Sequence, residues 1–376
     1  MSADVVSLFA GVGGIDLGMS RGDNRLRTIL FVEIHPDAQK VLQTHFPDVP
    51  IHADVCTLER LPPTTKVVTA GSPCCDFSVS NHEKLGLEGK KSGLLREVFR
   101  LLGDAPHVEH FVLENVANML HLHGGAAMEE LGRALLGMGF SYAFRVVDSR
   151  SFGLRQRRRR LICVARRGDR APSWLLASSM APPPEDKTSS PKEFCSFSWV
   201  DGNRGCSFVV DWTPTIRAHD TPLYMKSQPA VIVPATGHVG ILSCEDGEML
   251  QGFPRGWTSS LPDRRRFARI GNAVSVPVFV WVGAHLLSDE LPHVAPVVEA
   301  RPRARRPTAG LGDPRAGGRR VEGVTEWPQL PSLWADAPLA ADPLSQKAIR
   351  GFLSRADKGK SGMPSWALDL LRSKVQ

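Results

Sequence analysis

The sequence predicts an α/β protein: a doubly wound, Rossmann-like domain with a smaller inserted domain and a C-terminal tail. Between residue 4 and about residue 165, short apolar runs rich in β-branched residues alternate with longer amphipathic stretches. The first apolar run leads directly into a glycine-rich turn, VVSLFAGVGG at Val5 to Gly14. This alternation is typical of parallel strands joined by crossover helices.

The apolar and amphipathic runs define the elements of the first domain. Strands are predicted at Val5–Phe9, Ile29–Glu33, Lys66–Ala70, Phe111–Glu114, Tyr142–Val147 and Leu161–Ala165. Helices are predicted between them at Asp16–Met19, Pro36–His45, Gly93–Leu102 and Ala126–Met138. Regular patterns return at Glu248–Phe253 and Ala273–Leu287, and the second of these is apolar enough to be a buried helix of the same domain.

Changes in composition mark the other parts of the chain. After Arg170 the sequence becomes rich in Pro, Ser and Lys, and the predicted β-runs that follow have no clear helices. Seven arginines with Pro and Gly between residues 301 and 320 predict an unfolded basic linker, followed by two short helices. We therefore predict a first domain at 1–165 and 246–290, an inserted domain at 166–245, a linker at 291–344 and a helical segment at 345–376.

The composition is typical of a soluble protein in a reducing compartment. The chain has 376 residues, 42% of them hydrophobic, which is enough to bury a core. We expect neither a secretory signal nor a transmembrane segment, and a cytoplasmic or, in a eukaryote, nuclear location. The seven cysteines include no CxxC pair, so neither a zinc site nor a disulfide framework is expected. The net charge of +7 favours a polyanionic partner, although many ordinary enzymes are equally basic.

The glycine-rich turn and the acid after the next strand suggest a nucleoside cofactor. The turn lets backbone amides approach a ligand at the carboxyl end of the sheet, and Glu33 can accept both hydroxyls of a ribose. The third glycine of the dinucleotide fingerprint would fall at Asp16, so that fingerprint is not matched. Asp54 is placed for an adenine amino group, but a surface acid is an equal interpretation.

Three further segments carry chemistry at the same predicted edge. AGSPCCDFS at Ala70 to Ser78 puts two cysteines on a loop after a strand, where a nucleophile would be exposed, although a buried structural cysteine is the common alternative. Glu114 ends another strand, where a solvated acid is an equal interpretation. Four arginines at 157–160 run into a strand, and such a charge run is usually a solvated face or a phosphate-binding patch. Because alternate side chains of a strand share a face, Arg158 and Arg160 are expected to point together.

Taken in order, these segments resemble the cytosine-5 DNA methyltransferase family. The resemblance extends from Val5 to about Val280, apart from the inserted middle. Pro73 and Cys74 match the family's Pro-Cys nucleophile, and Gln156, Arg158 and Arg160 match its Gln-x-Arg-x-Arg element. Glu114, Asn115 and Val116 match its Glu-Asn-Val triplet. LQGFP at Leu250 to Pro254 and GNAVSVPV at Gly271 to Val278 look like its last two motifs.

The resemblance implies an enzyme that methylates carbon 5 of a flipped-out cytosine in double-stranded DNA with S-adenosylmethionine. It implies four catalytic residues: Cys74, Glu114, Arg158 and Arg160. It implies cofactor contacts from Phe9, Gly11, Val12, Gly13, Gly14, Glu33, Asp54, Val55, Gly71, Pro73 and Asn272. The inserted domain would be a target-recognition domain, with Arg204 and Arg217 as candidate readers of bases. We further expect a monomer that shares its target with a restriction endonuclease without binding it.

The sequence departs from the family pattern at three places, and other functions would explain parts of it. Cys75 replaces a usual Gln, Arg155 replaces a usual Pro, and Glu245 and Asp246 replace the Arg-Glu that precedes LQGFP. A tRNA cytosine methyltransferase would share all catalytic residues, and a catalytically inactive DNA-binding relative would share the fold. A nicotinamide-dependent oxidoreductase would explain the glycine turn and Glu33 but none of the other segments.

Overall fold

The computed structural model describes residues 2–71, 93–176, 193–199, 206–218, 229–288, 309–313, 317–321, 341–357 and 362–375. The chain divides into two compact units. The first consists of Met1–Phe152, Arg159–Pro182 and Val274–Leu330, and the second of Gly153–Arg158, Pro183–Ala273 and Pro331–Gln376. Within the described ranges, no single helix is both long enough and apolar enough to cross a membrane.

A nine-stranded sheet organises the first unit. Its strands are β1 (Ala3–Leu8), β2 (Leu26–Val32), β3 (Ile51–His52), β4 (Thr65–Gly71), β5 (His110–Val116), β6 (Phe140–Asp148), β7 (Arg159–Arg167), β12 (Ala309–Asp313) and β13 (Gly317–Val321). They lie in the order β13-β12-β6-β7-β5-β4-β1-β2-β3. Strands β1 to β5 pair in parallel, so their carboxyl ends share one edge of the sheet.

Strand β7 departs from the predicted parallel arrangement. It pairs antiparallel with both β5 and β6. The connection from β6 to β7 covers only residues 149–158, which is too short for the crossover helix that a parallel pair requires. As a result, the amino end of β7 lies at the carboxyl end of β5, with Arg160 paired to Val116.

Helices cover both faces of this sheet, as the doubly wound prediction requires. The first unit contains α1 (Gly14–Gly22), α2 (Pro36–His45), α3 (Gly93–Gly103), α4 (Ala126–Gly137) and α7 (Val276–Leu286). On β1, Val6 and Leu8 pack in one core cluster together with residues of α3 and α4. Val5 packs in the other cluster, with residues of α1 and α7.

Strands β12 and β13 correct the prediction of an unfolded linker at 291–344. β12 pairs antiparallel with β6, and β13 with β12, so this segment extends the sheet. Low hydrophobicity and many arginines predicted disorder, but an exposed strand edge offers backbone hydrogen bonds that do not depend on side chains. The rest of the linker lies outside the described residues, apart from residues 341–344 at its end.

The second unit contains a separate antiparallel sheet. Its strands are β8 (Cys195–Trp199), β9 (Cys206–Val210), β10 (Ala230–Val233), β11 (His238–Ile241) and β14 (Asp342–Pro343), in the order β14-β11-β10-β8-β9. The helices α8 (Gln346–Ala356) and α9 (Ser365–Ser373) pack on it. Phe352 is fully buried beside Phe197, with their ring centroids 4.8 Å apart. The predicted terminal helices therefore belong to the core of this unit.

Two more helices of the second unit, α5 (Cys244–Gln251) and α6 (Asp263–Asn272), explain the acidic departure before LQGFP. Asp246 and Ser243 form a capping box at the start of α5. Arg266 of α6 donates to Glu245 at 2.7 Å and to the buried Glu248 at 3.0 Å. Of the two carboxylates that replace the family's Arg-Glu, Asp246 therefore caps α5 and Glu245 pairs with an arginine of the next helix.

Candidate active site and cofactor turn

The turn after β1 adopts the conformation that close ligand approach requires. Phe9, Gly11 and Gly13 have positive φ values of 54°, 56° and 79°. A left-handed backbone is costly for a side chain such as that of Phe9, and strain of this kind concentrates at functional turns. Gly14 then starts α1, so the predicted glycines lie at a helix N-terminus, where free amides face a ligand.

Glu33 lies one residue beyond β2 and is bonded to the turn. Its two carboxylate oxygens accept from the Gly11 amide and from the His35 amide, each at 2.8 Å. A carboxylate has about four lone-pair positions, so each oxygen retains the capacity to accept another hydrogen bond. The predicted ribose acid is therefore held in place and still able to bind hydroxyls.

Asp54 and Val55 lie beside Glu33 at the end of β3. The Glu33 amide donates to the His52 carbonyl at 3.0 Å, which joins the two strand ends. The Asp54 carboxylate accepts from the Cys56 amide at 2.9 Å and caps a short 3-10 helix, Val55–Thr57. The Val55 and Val12 side chains are both buried, at 3% exposure, so they can offer a ligand mainly backbone atoms.

The buried Glu114 and the half-buried Arg160 form an ion pair at the same edge. Arg160 Nε lies 3.0 Å from Glu114 Oε1, and both side chains are mostly enclosed. The geometry is that of an ion pair, because no group among the described residues donates an aligned hydrogen bond to this oxygen. The antiparallel direction of β7 produces this meeting, because it carries Arg160 to the carboxyl end of β5.

Strand β4 ends beside Glu114 and leads to the predicted nucleophile. Gly71 is paired with Glu114, and a Cβ on Gly71 would lie 3.3 Å from the Phe9 carbonyl oxygen. This strand end therefore closely approaches the glycine-rich turn after β1. The predicted residues Pro73 and Cys74, together with Cys75, lie outside the described residues.

The five described cysteines do not have the character of a reactive thiol. Burial raises the pKa of Cys163, Cys195, Cys206 and Cys244 to about 12. Cys56 is exposed, but its pKa is also raised, chiefly by desolvation and by its hydrogen bond to Asp54. A nucleophilic thiolate requires a lowered pKa, so these side chains are poor candidates.

Arg158 does not share a face with Arg160, contrary to the expectation from strand periodicity. Strand β7 begins at Arg159, and the preceding Gln156 instead bridges to Thr213 in the second unit. Arg158 is 2% exposed, and its guanidinium donates to the carbonyls of Ile216, Gly271 and Ala273. Its donors are directed at backbone carbonyls of the second unit, so we replace the predicted catalytic role with a structural one.

Asn272 and Ile34 are two exposed residues outside the strand ends and the turn described above. Asn272 is the last residue of α6, belongs to the second unit and is exposed. Ile34 directly follows Glu33 and is 68% exposed, which is unusual for a large apolar side chain. Ile34 was not predicted, because a single isoleucine after a strand carries no distinguishing signal in the sequence; its exposure at this edge marks it.

Comparisons with known proteins agree on one family. Residues 3–203 match the family model described as C-5 cytosine-specific DNA methylase. The Type II methyltransferase M2.BsuMI of Bacillus subtilis (strain 168) is 33% identical over 368 residues, which cover 94% of this chain and 92% of that protein. The Type II methyltransferase M.CviJI of Paramecium bursaria Chlorella virus IL3A is 32% identical over 180 residues, 47% of each chain.

Solved structures support the fold. The S. pombe Dnmt2 methyltransferase superposes with a TM-score of 0.55 at 14% identity, covering 76% of this chain and 98% of that one. A DNMT2 variant from Spodoptera frugiperda gives a TM-score of 0.54 at 13% identity, covering 76% of this chain and all of that one. At these identities the likeness concerns the Rossmann-like fold alone.

Proposed function

Because this chain belongs to the C-5 cytosine-specific DNA methylase family and is a DNA cytosine-5 methyltransferase, we propose that it uses S-adenosylmethionine and forms a covalent adduct through Cys74. The observation that carries the proposal is the ion pair between the buried Glu114 and Arg160. This pair lies at the sheet edge that also carries the glycine turn and Glu33.

The side chains around the turn suit S-adenosylmethionine. A Cβ on Gly11 would meet no atom of the described residues within 4 Å, so the turn leaves room for a ligand beside it. Glu33 would accept the ribose hydroxyls, Asp54 the adenine amine, and Ile34 would pack on the base. The other proposed cofactor residues are Phe9, Val12, Gly13, Gly14, Val55, Gly71, Pro73 and Asn272. When bound, the cofactor supplies an electrophilic methyl group on a sulfonium.

The chemistry proposed for the protein residues begins with a thiolate. Cys74 adds to carbon 6 of the cytosine, and the electron pair of the carbon 5–carbon 6 double bond becomes available at carbon 5 to take the methyl group. Glu114 hydrogen-bonds ring N3 and the exocyclic amine, and Arg160 meets O2, which stabilises the developing charge. Loss of the carbon 5 proton then restores the double bond and expels the Cys74 thiolate.

The proposed substrate is a cytosine flipped out of duplex DNA, because carbon 6 is inaccessible inside the base stack. Flipping costs a few kcal/mol, which contacts in the pocket and to the phosphates offset. We place target reading in the second unit. The enzyme would act as a monomer, with any restriction endonuclease of the same specificity acting on the DNA separately.

Covalent trapping tests this proposal without knowledge of the target sequence. Long duplex DNA made with 5-fluorocytosine in place of cytosine should trap the enzyme, because fluorine at carbon 5 cannot leave as a proton. We expect Cys74→Ala to abolish both trapping and methyl transfer, and Cys75→Gln to retain both. Cys56→Ala is the matched control for loss of an exposed thiol. Transfer to tRNA but not to DNA, or loss of the adduct only in Cys75→Gln, would contradict the proposal.

A further inference from the structure

Two buried side chains of the Gln-x-Arg-x-Arg element act on one short backbone segment of the second unit. Gln156 is fully buried and accepts from the Ile216 amide at 3.1 Å while donating to the Leu250 carbonyl at 3.0 Å. Arg158 donates to the carbonyl of the same Ile216 at 3.2 Å. Both backbone polar groups of Ile216 are therefore bound by side chains from residues 156–158.

The same guanidinium binds the chain on both sides of Asn272. Arg158 Nη2 donates to the Ala273 carbonyl at 2.6 Å, and both terminal nitrogens lie 3.3–3.4 Å from the Gly271 carbonyl. Gln251 adds a hydrogen bond of 3.1 Å to the Ile270 carbonyl and a longer contact of 3.5 Å to that of Ala273. The peptide groups before and after Asn272 are thus held, while the Asn272 side chain remains exposed.

The two held segments also touch directly. A Cβ built on Gly271 would lie 2.4 Å from backbone atoms of Arg217 and Ala218, so only a glycine permits this approach. Arg217 is exposed and follows Ile216, just as the exposed Asn272 follows Gly271. A planar guanidinium with five donors in a fixed fork can hold several carbonyls at once, which the single ammonium of lysine cannot reproduce.

We propose that Arg158 is a positioning residue that fixes the Asn272 side chain for the cofactor and ties it to the backbone of the target-recognition segment at Ile216 and Arg217. This inference rests on the proposed function of Asn272 in cofactor binding. It assigns Arg158 no contact with the reacting base. Arg158 and Asn272 should therefore behave as one functional unit, since Arg158 acts through Asn272.

A double-mutant cycle on cofactor affinity tests the proposal. S-adenosylmethionine binding is measured by calorimetry for Arg158→Lys, Asn272→Ala and the double variant. We expect each single change to weaken binding about tenfold, the effect of about one hydrogen bond. The double variant should also lose about tenfold, whereas independent residues would together lose about a hundredfold. Arg157→Lys, at the exposed neighbouring arginine, is the matched control and should leave the affinity unchanged.

A second variant and a second readout keep the test decisive if Arg158→Lys unfolds. Gln251→Met removes the amide that holds Ile270 and Ala273 but leaves Arg158 in place, and it should give the same non-additivity with Asn272→Ala. Additive losses would overturn the coupling. A lower rate of adduct formation at saturating cofactor, with unchanged affinity, would show a catalytic role for Arg158 and also overturn it. Unchanged affinity in Asn272→Ala would instead remove the premise, the cofactor role of Asn272.

Discussion

Glu33 combines two tasks at the scale of a single residue. Its carboxylate orders the glycine turn through the Gly11 amide and is proposed to bind the ribose. We expect Glu33→Ala to weaken S-adenosylmethionine binding by about 2 kcal/mol, because charge-assisted hydrogen bonds are lost and the turn loses an anchor. Calorimetry measures this change, with the exposed Glu59→Ala as control. Equal affinity of the Glu33 variant and the unaltered protein would exclude Glu33 from the site.

Asp16, in the first turn of α1, is a buried carboxyl that makes stability depend on pH. Ser7 and Thr28 donate to its oxygens at 2.9 and 2.8 Å, but burial outweighs these bonds and raises its pKa from 3.8 to about 6. Because the folded state holds this proton more tightly than the unfolded chain, the stabilisation is complete below pH 3.8 and is lost as pH rises through about 6.

Urea unfolding across this pH range tests the role of Asp16. Relative to Asp16→Asn, the unaltered protein should lose about 2 kcal/mol of unfolding free energy between pH 4 and pH 7. The exposed Asp48→Asn serves as the control and should follow the unaltered protein. If Asp16→Asn has the same pH profile as the unaltered protein, then folding does not raise the pKa of Asp16.

Glycines determine how the elements α1 and α7 pack. A Cβ on Gly22 would lie 2.2 Å from the Val280 carbonyl oxygen, and one on Gly283 would lie 2.4 Å from the Met19 carbonyl oxygen. Backbone cannot give way as a flexible side chain can. We expect Gly22→Ala to destabilise the protein by at least about 1–3 kcal/mol, the usual cost of overpacking. Thermal unfolding measures the effect.

Gly137→Ala is the matched control for this packing. Gly137 is the last residue of α4, and an added Cβ there would meet nothing within 4 Å. The same substitution should be neutral or slightly stabilising at this position, because alanine restricts the unfolded chain more than glycine does. Equal effects at Gly22 and Gly137 would show that the α1–α7 contact does not govern the result, because alanine has the higher helix propensity at both positions.

For the whole molecule, the C-terminal helices decide whether the second unit folds. Ile349, Phe352, Leu353 and Leu371 are buried against its sheet. At about 1.5–3 kcal/mol for each large side chain, their loss approaches the total stability of a small domain. A chain ending at residue 340 should therefore lose the folded second unit and retain only the cofactor binding supplied by the first unit, weakened by about the tenfold expected for loss of Asn272. Limited proteolysis and calorimetry report the two properties separately, and cooperative unfolding of both units in that chain would contradict the expectation.

Two point variants in α8 test whether this helix contributes to the core of the second unit. Phe352→Ala should cost about 3–5 kcal/mol, because it leaves a cavity beside Phe197. Ser354→Ala lies on the exposed face of the same helix and should change stability little. If the two variants are equally stable, α8 does not contribute to the core of the second unit.

Local pattern was sufficient to predict much of the first unit. Alternating apolar runs predicted the six strands β1, β2 and β4 to β7 and the helices between them, to within a few residues at their ends. Because carboxyl ends of parallel strands meet at one edge, residues far apart in the chain, such as Gly11, Glu33 and Glu114, were correctly expected at that edge.

Pairing between segments far apart in the chain decided the place of Arg158 and the structure of residues 309–313. No local sequence pattern encodes such pairing. Strand periodicity placed Arg158 beside Arg160, but β7 starts only at Arg159, so Arg158 packs in the second unit and Arg160 alone meets Glu114. The composition predicted that residues 309–313 belong to an unfolded linker, but these residues form a strand that pairs with the open edge of β6. The side-chain pattern determines which segments become strands and helices. The hydrogen-bond partner of a strand edge or of a guanidinium depends instead on which other segments the folded chain brings within hydrogen-bonding distance.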